Sequence, residues 1–479
     1  MTMKRWKSCG QSFRNNDRIS ELPEALLLEI LSLLPTKDVR ATSVLSKRWR
    51  SLWKMVPRLE FDGRMFSDNI SRCLLSHQAP VLQSLHLEMN SHVFSNMVIG
   101  ILVGIAFGLH VRELVLYVYG SQELFRFPFS LCNCESLETL ILGQNIIIDV
   151  PSPVCLNSLR TLDLDGVGYK DDESVLNLLS GCISLENLVV HRLEQADVKT
   201  FTIAVPSLQR LTLTAENDDE DSVYVINAPS LKYLKFDGVL DDTTCLIENT
   251  PELVEAMPSL QRLTLIDEID DSVFEINAPS LKYLKIDGCY GGGRYCMIEN
   301  ASELVEAKIV IDEASYENIL GSITSVKRLS LKLSPLEITF PTGSIFYQLA
   351  YLELYTFRTE WWNLLTLMFD TSPNLLVLKL TGFKIEWENV KNKGLWGRWN
   401  KPKNVPECLL LHLETFLWTC YEARVEDEIE VAKYILRNAR RLKKATFSKI
   451  EIKPSKRVEM VEELKSVVRA SNSCQLVFK

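Results

Sequence analysis

The pattern Leu-x-x-Leu-x-Leu, usually led by serine, recurs along most of this chain and restricts its fold more than any other feature. It stands at residues 136–142, 158–164, 184–190, 207–213, 230–236, 259–265, 280–286 and 325–331. Looser copies occupy 82–87, 111–116, 303–309, 348–354 and 374–380, and successive starts lie mostly 21 to 29 residues apart. Inside each copy the alternation puts leucines on one face of a short strand and the intervening residues on the other. A period of this length means supersecondary units stacked on one another, because one unit cannot bury its apolar face alone.

Part of the array is duplicated. Pro206-Ser-Leu-Gln-Arg-Leu-Thr-Leu213 returns unchanged at 258–265, and Ile226-Asn-Ala-Pro-Ser-Leu-Lys-Tyr-Leu-Lys235 at 276–285. The offset falls from 52 to 50 inside an acidic stretch, 216–221 in the first copy and 267–271 in the second, which predicts a solvent loop there. Return segments differ between units. Residues 172–179 begin acidic and run into Gly181, predicting a short helix, whereas 222–226 and 272–276 alternate as strands. The array resembles an irregular leucine-rich repeat. That resemblance implies an α/β solenoid with parallel strands on its concave face and mixed helix and strand outside. The Asn usual after the motif is mostly missing; Asp237-Gly238 and Asp287-Gly288 stand near that place.

Net charge is −9, but residues 1–60 carry a surplus of six basic groups, which leaves the remainder at −15. An acidic body argues against general nucleic-acid binding, which needs a basic face. Residues 97–109 are nearly all apolar and include Gly100, Gly104 and Gly108, yet fall short of the roughly 20 residues a bilayer requires. They predict a buried helix whose glycines meet a neighbouring backbone. Twelve cysteines in 479 residues are too few for a disulfide scaffold, and no secretory signal opens the chain. Reduced thiols and an intracellular location, nucleus or cytoplasm, are expected, with no membrane partner.

Residues 1–16 read as a flexible basic N-terminus, and 17–60 as a helical head. Pro23 suits a first helical turn, Leu26, Leu27, Ile30, Leu31 and Leu34 follow at helical spacing, and Pro35 stops the run. Thr36 or Asp38 caps a second helix in this reading, and Ser46 a third bearing Trp49, Leu52 and Trp53. So short a segment cannot bury so many large apolar groups alone, so the surplus faces another protein or the solenoid. The head resembles an F-box of the plant type. The matching positions are Leu22, Pro23, Ile30, Leu31, Leu34, Pro35, Ser46, Lys47, Arg48, Trp49, Arg50, Leu52 and Trp53. The resemblance implies that Leu22, Pro23, Ile30, Leu31, Leu34, Pro35, Leu45, Ser46, Lys47, Arg48, Trp49, Leu52 and Trp53 bind a Skp-type adaptor. Through it they would engage the cullin and RING subunits of a ubiquitin ligase. Arg40, where the family has an apolar residue, is expected at the surface. The alternative is a helical cap that never leaves the solenoid.

Repeats extend over 61–395, and 396–479 continue and close them as strand, helix from about residue 425, strand, helix near 457–470, and a final strand at 475–478. This tail resembles the FBD domain of plant F-box proteins, with Ala423 replacing a common glycine.

The sequence carries no recognisable catalytic constellation. There is no Cys-x-x-Cys; Cys132 and Cys134 have no His at zinc-ligand spacing. The six histidines form no metal or nucleophile signature, and Gly291-Gly-Gly-Arg294 lacks the Gly-Lys-Ser/Thr ending of a phosphate loop. The reading is a non-catalytic receptor without metal or cofactor. Between the strand leucines, Arg210, Tyr233, Lys235, Arg262, Tyr283, Lys285, Arg328, Tyr351 and Tyr355 are expected to line the concave face. That cationic and aromatic stripe would hold an unidentified, acidic or phosphorylated target. The expected function is the substrate-recognition subunit of an SCF-type ubiquitin ligase. The alternatives are a recognition scaffold without a ligase and a small-molecule-dependent receptor of the same architecture.

Overall fold

A computed structural model of the chain describes residues 19, 21–62, 67–120, 123–129, 135–192, 198–215, 223–238, 244–246, 258–267, 273–288, 295–299, 301–311, 319–332, 345–356, 361–382, 399–419, 426–448 and 454–479. The expectations for residues 1–16, Cys132 and Cys134, the acidic loops, the 291–294 glycine run and Ala423 lie outside these residues. The chain forms two compact units, residues 1–123 with 134–139 and residues 124–133 with 140–479.

The first unit holds the head. Helix α1 (Glu24–Leu31), α2 (Thr36–Ala41) and α3 (Trp49–Leu52) close on a core of Leu27, Leu31, Val39, Trp49, Leu52 and Val56. Pro23 and Pro35 occupy the N-cap positions of α1 and α2, where a missing N–H costs nothing. The expected side-chain caps are absent: Thr36 Oγ1 accepts instead from the Glu60 N–H at 2.7 Å, and Arg48, not Ser46, stands at the N-cap of α3. The head is therefore stitched to the parallel strands Arg58–Phe61, Ser84–Asn90 and Glu113–Tyr119, which pair in that order. Arg40 is half-buried and directs its guanidinium at Cys73 Sγ, 3.6 Å away, instead of lying free at the surface. Helix Asn96–Gly108 buries Ile99, Leu102, Val103, Ala106 and Phe107. The expectation of close backbone packing fails at Gly100 and Gly108, where an added Cβ would meet nothing within 4 Å. Among the described residues no helix is long and apolar enough to cross a membrane.

The second unit is a stack of parallel strands. From Thr161–Asp165 the ladder runs through Asn187–Arg192, Arg210–Ala215, Tyr233–Gly238, Arg262–Asp267, Tyr283–Gly288, Glu306–Ile311, Arg328–Lys332, Tyr351–Tyr355 and Val377–Thr381. It continues in unbroken register through the tail strands Thr415–Thr419, Lys444–Ser448 and Gln475–Phe478. Motif leucines form its closed face: Leu211, Leu234, Leu263, Leu284, Leu329, Leu352 and Leu378 are all at most 2 % exposed. The leading serine has a structural reason, since Ser207 Oγ donates to the Leu185 carbonyl of the preceding repeat at 2.8 Å and Ser325 Oγ to that of Ala301 at 3.3 Å. Each such bond ties a coil to the one before it.

The second layer changes character along the unit. A three-stranded parallel sheet (Phe125–Arg126, Ile146–Ile148, Gly168–Tyr169) gives way to helix Asp172–Ser180, whose N-cap Asp171 accepts from the Ser174 N–H at 2.7 Å. A five-stranded parallel sheet follows, including the expected Val223–Asn227 and Val273–Asn277 and also Thr244–Leu246 and Tyr295–Glu299. Helices Trp361–Thr371, Glu407–Leu411, Glu426–Asn438 and Pro454–Ser466 complete it. Trp361 packs edge-on against Trp418 at 5.7 Å, and Phe447 continues the aromatic row between Phe416 and Phe478.

Candidate functional site

Two surfaces carry the chemistry that the sequence singles out. The head divides its candidate residues by burial. Leu31, Trp49 and Leu52 are at most 5 % exposed and form the helical core, so they move from the expected contact surface to the interior. Arg48 donates to the Leu22 carbonyl at 2.6 Å and ties α3 to the segment before α1, while Leu22 and Trp53 pack partly against the core. Ile30, Leu34 and Leu45 face outward at 43 %, 43 % and 64 % exposure, with Pro23, Pro35, Ser46 and Lys47 also at the surface. Four exposed apolar residues escaped the sequence reading of that surface: Ile19, Leu26, Leu33 and Val44. Consecutive leucines from Leu26 to Leu28 give no periodic signal of which one turns inward. So much large apolar surface on so small a core marks a protein-contact face.

The second surface is the open face of the long sheet, where alternate residues of each strand project. Arg210, Tyr233, Arg262, Tyr283, Glu306, Arg328 and Tyr351 follow one another in a single cross-strand row. Each arginine lies over the ring of the next strand's tyrosine, Arg210 on Tyr233 at 5.1 Å, Arg262 on Tyr283 at 3.9 Å and Arg328 on Tyr351 at 4.1 Å. A parallel row two residues further along runs Thr212, Lys235, Thr264, Lys285, Lys308, Ser330, Glu353 and Lys379. The expected stripe is thus assembled, but it carries its own acids. Lys235 pairs with Asp237 at 2.5 Å, Lys285 with Asp287 at 2.9 Å, Lys379 with Glu353 at 2.8 Å and Arg328 with Glu306 at 3.7 Å. The signal for the first two was Lys-x-Asp on one strand, since residues two apart share a face.

Where these rows pass Glu306 they enclose an open-sided cavity of about 120 Å³, lined by Lys308, Arg328, Ser330, Tyr351, Glu353 and Tyr355. Partial burial, reinforced by the Glu353 charge, pushes the Tyr351 and Tyr355 hydroxyls up. Both remain protonated donors at neutral pH. The cavity sets ammonium, guanidinium and hydroxyl donors beside the carboxylates of Glu306 and Glu353.

A helical head with outward apolar residues, stacked leucine-rich-repeat strands and a closing strand–helix segment defines an F-box-type protein built for protein interaction. Residues 19–61 match the F-box domain, 106–253 the leucine-rich repeats of FBD-associated F-box protein At5g56370, and 401–447 the FBD family. The chain is 59 % identical to F-box/FBD/LRR-repeat protein At3g26920 of Arabidopsis thaliana, with all of both chains aligned. It is 51 % identical to the putative F-box/FBD/LRR-repeat protein At4g13965 of the same plant, again over both whole chains. With F-box/FBD/LRR-repeat protein At3g52680, also from Arabidopsis thaliana, identity is 49 % over 98 % of this chain and 96 % of the relative. The chain belongs to the F-box/FBD/LRR-repeat protein family. F-box/leucine-rich-repeat proteins are typically non-catalytic adaptors, and F-box domains generally bind Skp-type adaptors.

Proposed function

We propose that this protein is the substrate-recognition subunit of an SCF-type ubiquitin ligase, docking on a Skp-type adaptor through its head and holding a target on the open face of the repeats. The observation that carries the reading is the outward apolar set Leu26, Ile30, Leu33, Leu34, Val44 and Leu45, each at least 43 % exposed, on a head that already has a closed core. Removing apolar surface of this kind from water is the main driving force of most protein association. The contribution to ubiquitin transfer is proximity: a captured target is kept near a charged enzyme brought by other subunits. Nuclear or cytoplasmic residence follows from the same proposal.

The test is co-purification of the full chain with a plant Skp-type adaptor, compared with an Ile30→Asp, Leu45→Asp variant. Both side chains are exposed, so the variant is expected to melt like the parent while adaptor capture falls at least about tenfold. A folded parent chain that captures no adaptor would sink the ligase reading and leave a scaffold.

A further inference from the structure

Six successive strands of the open face each carry a cation, and neighbouring strands can be grouped two by two. Arg210 and Lys235 form the first pair, Arg262 and Lys285 the second, Lys308 and Arg328 the third. In each pair the arginine stands in the outer row and the lysine in the inner row of the adjacent strand. The third pair lies outside the duplicated segments, so it is independent of the copying that made the first two alike. Every pair also holds one carboxylate of its own: Asp237 on Lys235, Asp287 on Lys285 and Glu306 on Arg328. Two cations against one acid leave a positive charge at each pair. Among the described residues no carboxylate lies within ion-pair distance of Arg210, Arg262 or Lys308.

The three cations that have no acid among the described residues, Arg210, Arg262 and Lys308, stand on every second strand. Neighbouring strands lie about 4.8 Å apart, so the repeat is about 9.6 Å. A polyproline II helix advances about 3.1 Å per residue with three residues per turn, and so presents one edge every ~9.3 Å. A fully extended strand covers a similar distance in three residues, but its side chains at i and i+3 point to opposite sides. An α-helix brings side chains back to one face every three or four residues, about 5.4 Å, and its closer repeat of seven residues, ~10.5 Å, drifts out of step along three pairs. Tyr233, Tyr283 and Tyr351 stand in the outer row beside these pairs, and flat rings are what proline-rich extended segments pack against.

We propose that this face takes an acidic, polyproline II-like segment laid across the strands, with Glu or Asp at positions i, i+3 and i+6, one for each cation pair. The proposal rests on the reading of the open face as the target surface and adds the spacing by which a target is recognised. A segment of equal charge but different spacing seats only one acid at a time.

The experiment uses the full-length protein and fluorescein-labelled peptides read by anisotropy. One peptide is three Glu-Pro-Ser triplets; a second has the same composition with its glutamates adjacent; a third is helical with glutamates seven residues apart. The triplet peptide is expected to bind at least about fivefold tighter than either, and to weaken as salt rises. An Arg262→Gln, Lys285→Gln variant is expected to melt like the parent and to lose that preference. Equal binding of all three peptides, abolished by the variant, would overturn the spacing while leaving the open face as target surface. Binding untouched by the variant would overturn both. If no peptide binds, the proposal fails alone, provided the same preparation captures the Skp-type adaptor.

Discussion

At the scale of single residues, burial settles what chemistry a side chain can do. His77 is 9 % exposed; Nε2 lies 3.0 Å from the Val56 carbonyl, which fixes the hydrogen on that nitrogen. Burial lowers its pKa below the ordinary 6.5, against a smaller upward pull from the Val56 bond. The unfolded chain therefore binds the proton first, and the native state loses stability as pH falls below about 6.5. A His77→Gln variant is expected to show a flatter pH dependence of melting between about pH 7 and 5, and an unchanged slope would refute the assignment. Burial also pushes the Cys182 and Cys408 thiols up to about 12, so alkylation of the native protein is expected to spare both and to mark the exposed Cys155. The sequence revealed which head residues are apolar, but the inward or outward choice at Leu31 and Leu33 depends on how three short helices close, which no local pattern encodes. Leu31→Ala is expected to cost about 2–5 kcal/mol of stability and Leu33→Ala within about 0.5, a contrast that chemical denaturation reads directly.

Elements were legible in proportion to their periodicity. The ladder strands carry alternation over five or six residues and were found. Thr244–Leu246 spans only Thr-Cys-Leu and Glu407–Leu411 barely one turn, too short for either period to register. The glycine spacing in helix Asn96–Gly108 misled, because the same small residues that allow close approach also occur where nothing approaches. Two alanine substitutions separate these cases. Gly100→Ala enters open space in a helix interior and is expected to raise stability by about 0.5–1 kcal/mol. Gly181→Ala, at the end of helix Asp172–Ser180, would put its Cβ 2.0 Å from the Val154 carbonyl oxygen and is expected to lower the melting temperature markedly. Reversal of those signs would contradict the packing at both ends.

Over the whole molecule, repeated units report mainly to their neighbours, so stability is close to a sum of local interfaces. The candidate target face was half legible: motif spacing named its arginines, tyrosines and lysines, and Lys-x-Asp named Asp237 and Asp287, but Glu306 and Glu353 met their partners only when strands came into register. The duplication makes a direct test of that register. Removing residues 206–257 joins Val205 to Pro258 and presents Arg262 to Asn187 where Arg210 stood, with Val273–Asn277 replacing Val223–Asn227 beside Thr200–Ala204. The shortened chain is expected to melt cooperatively with an unchanged circular-dichroism shape; a broad, non-cooperative melt would show that the copies are not interchangeable. Interchangeable copies make length a heritable variable. Unequal crossing-over between the two identical stretches would add or delete about 50 residues at a stroke, giving allelic forms that differ in how long a target they read while their folds remain the same.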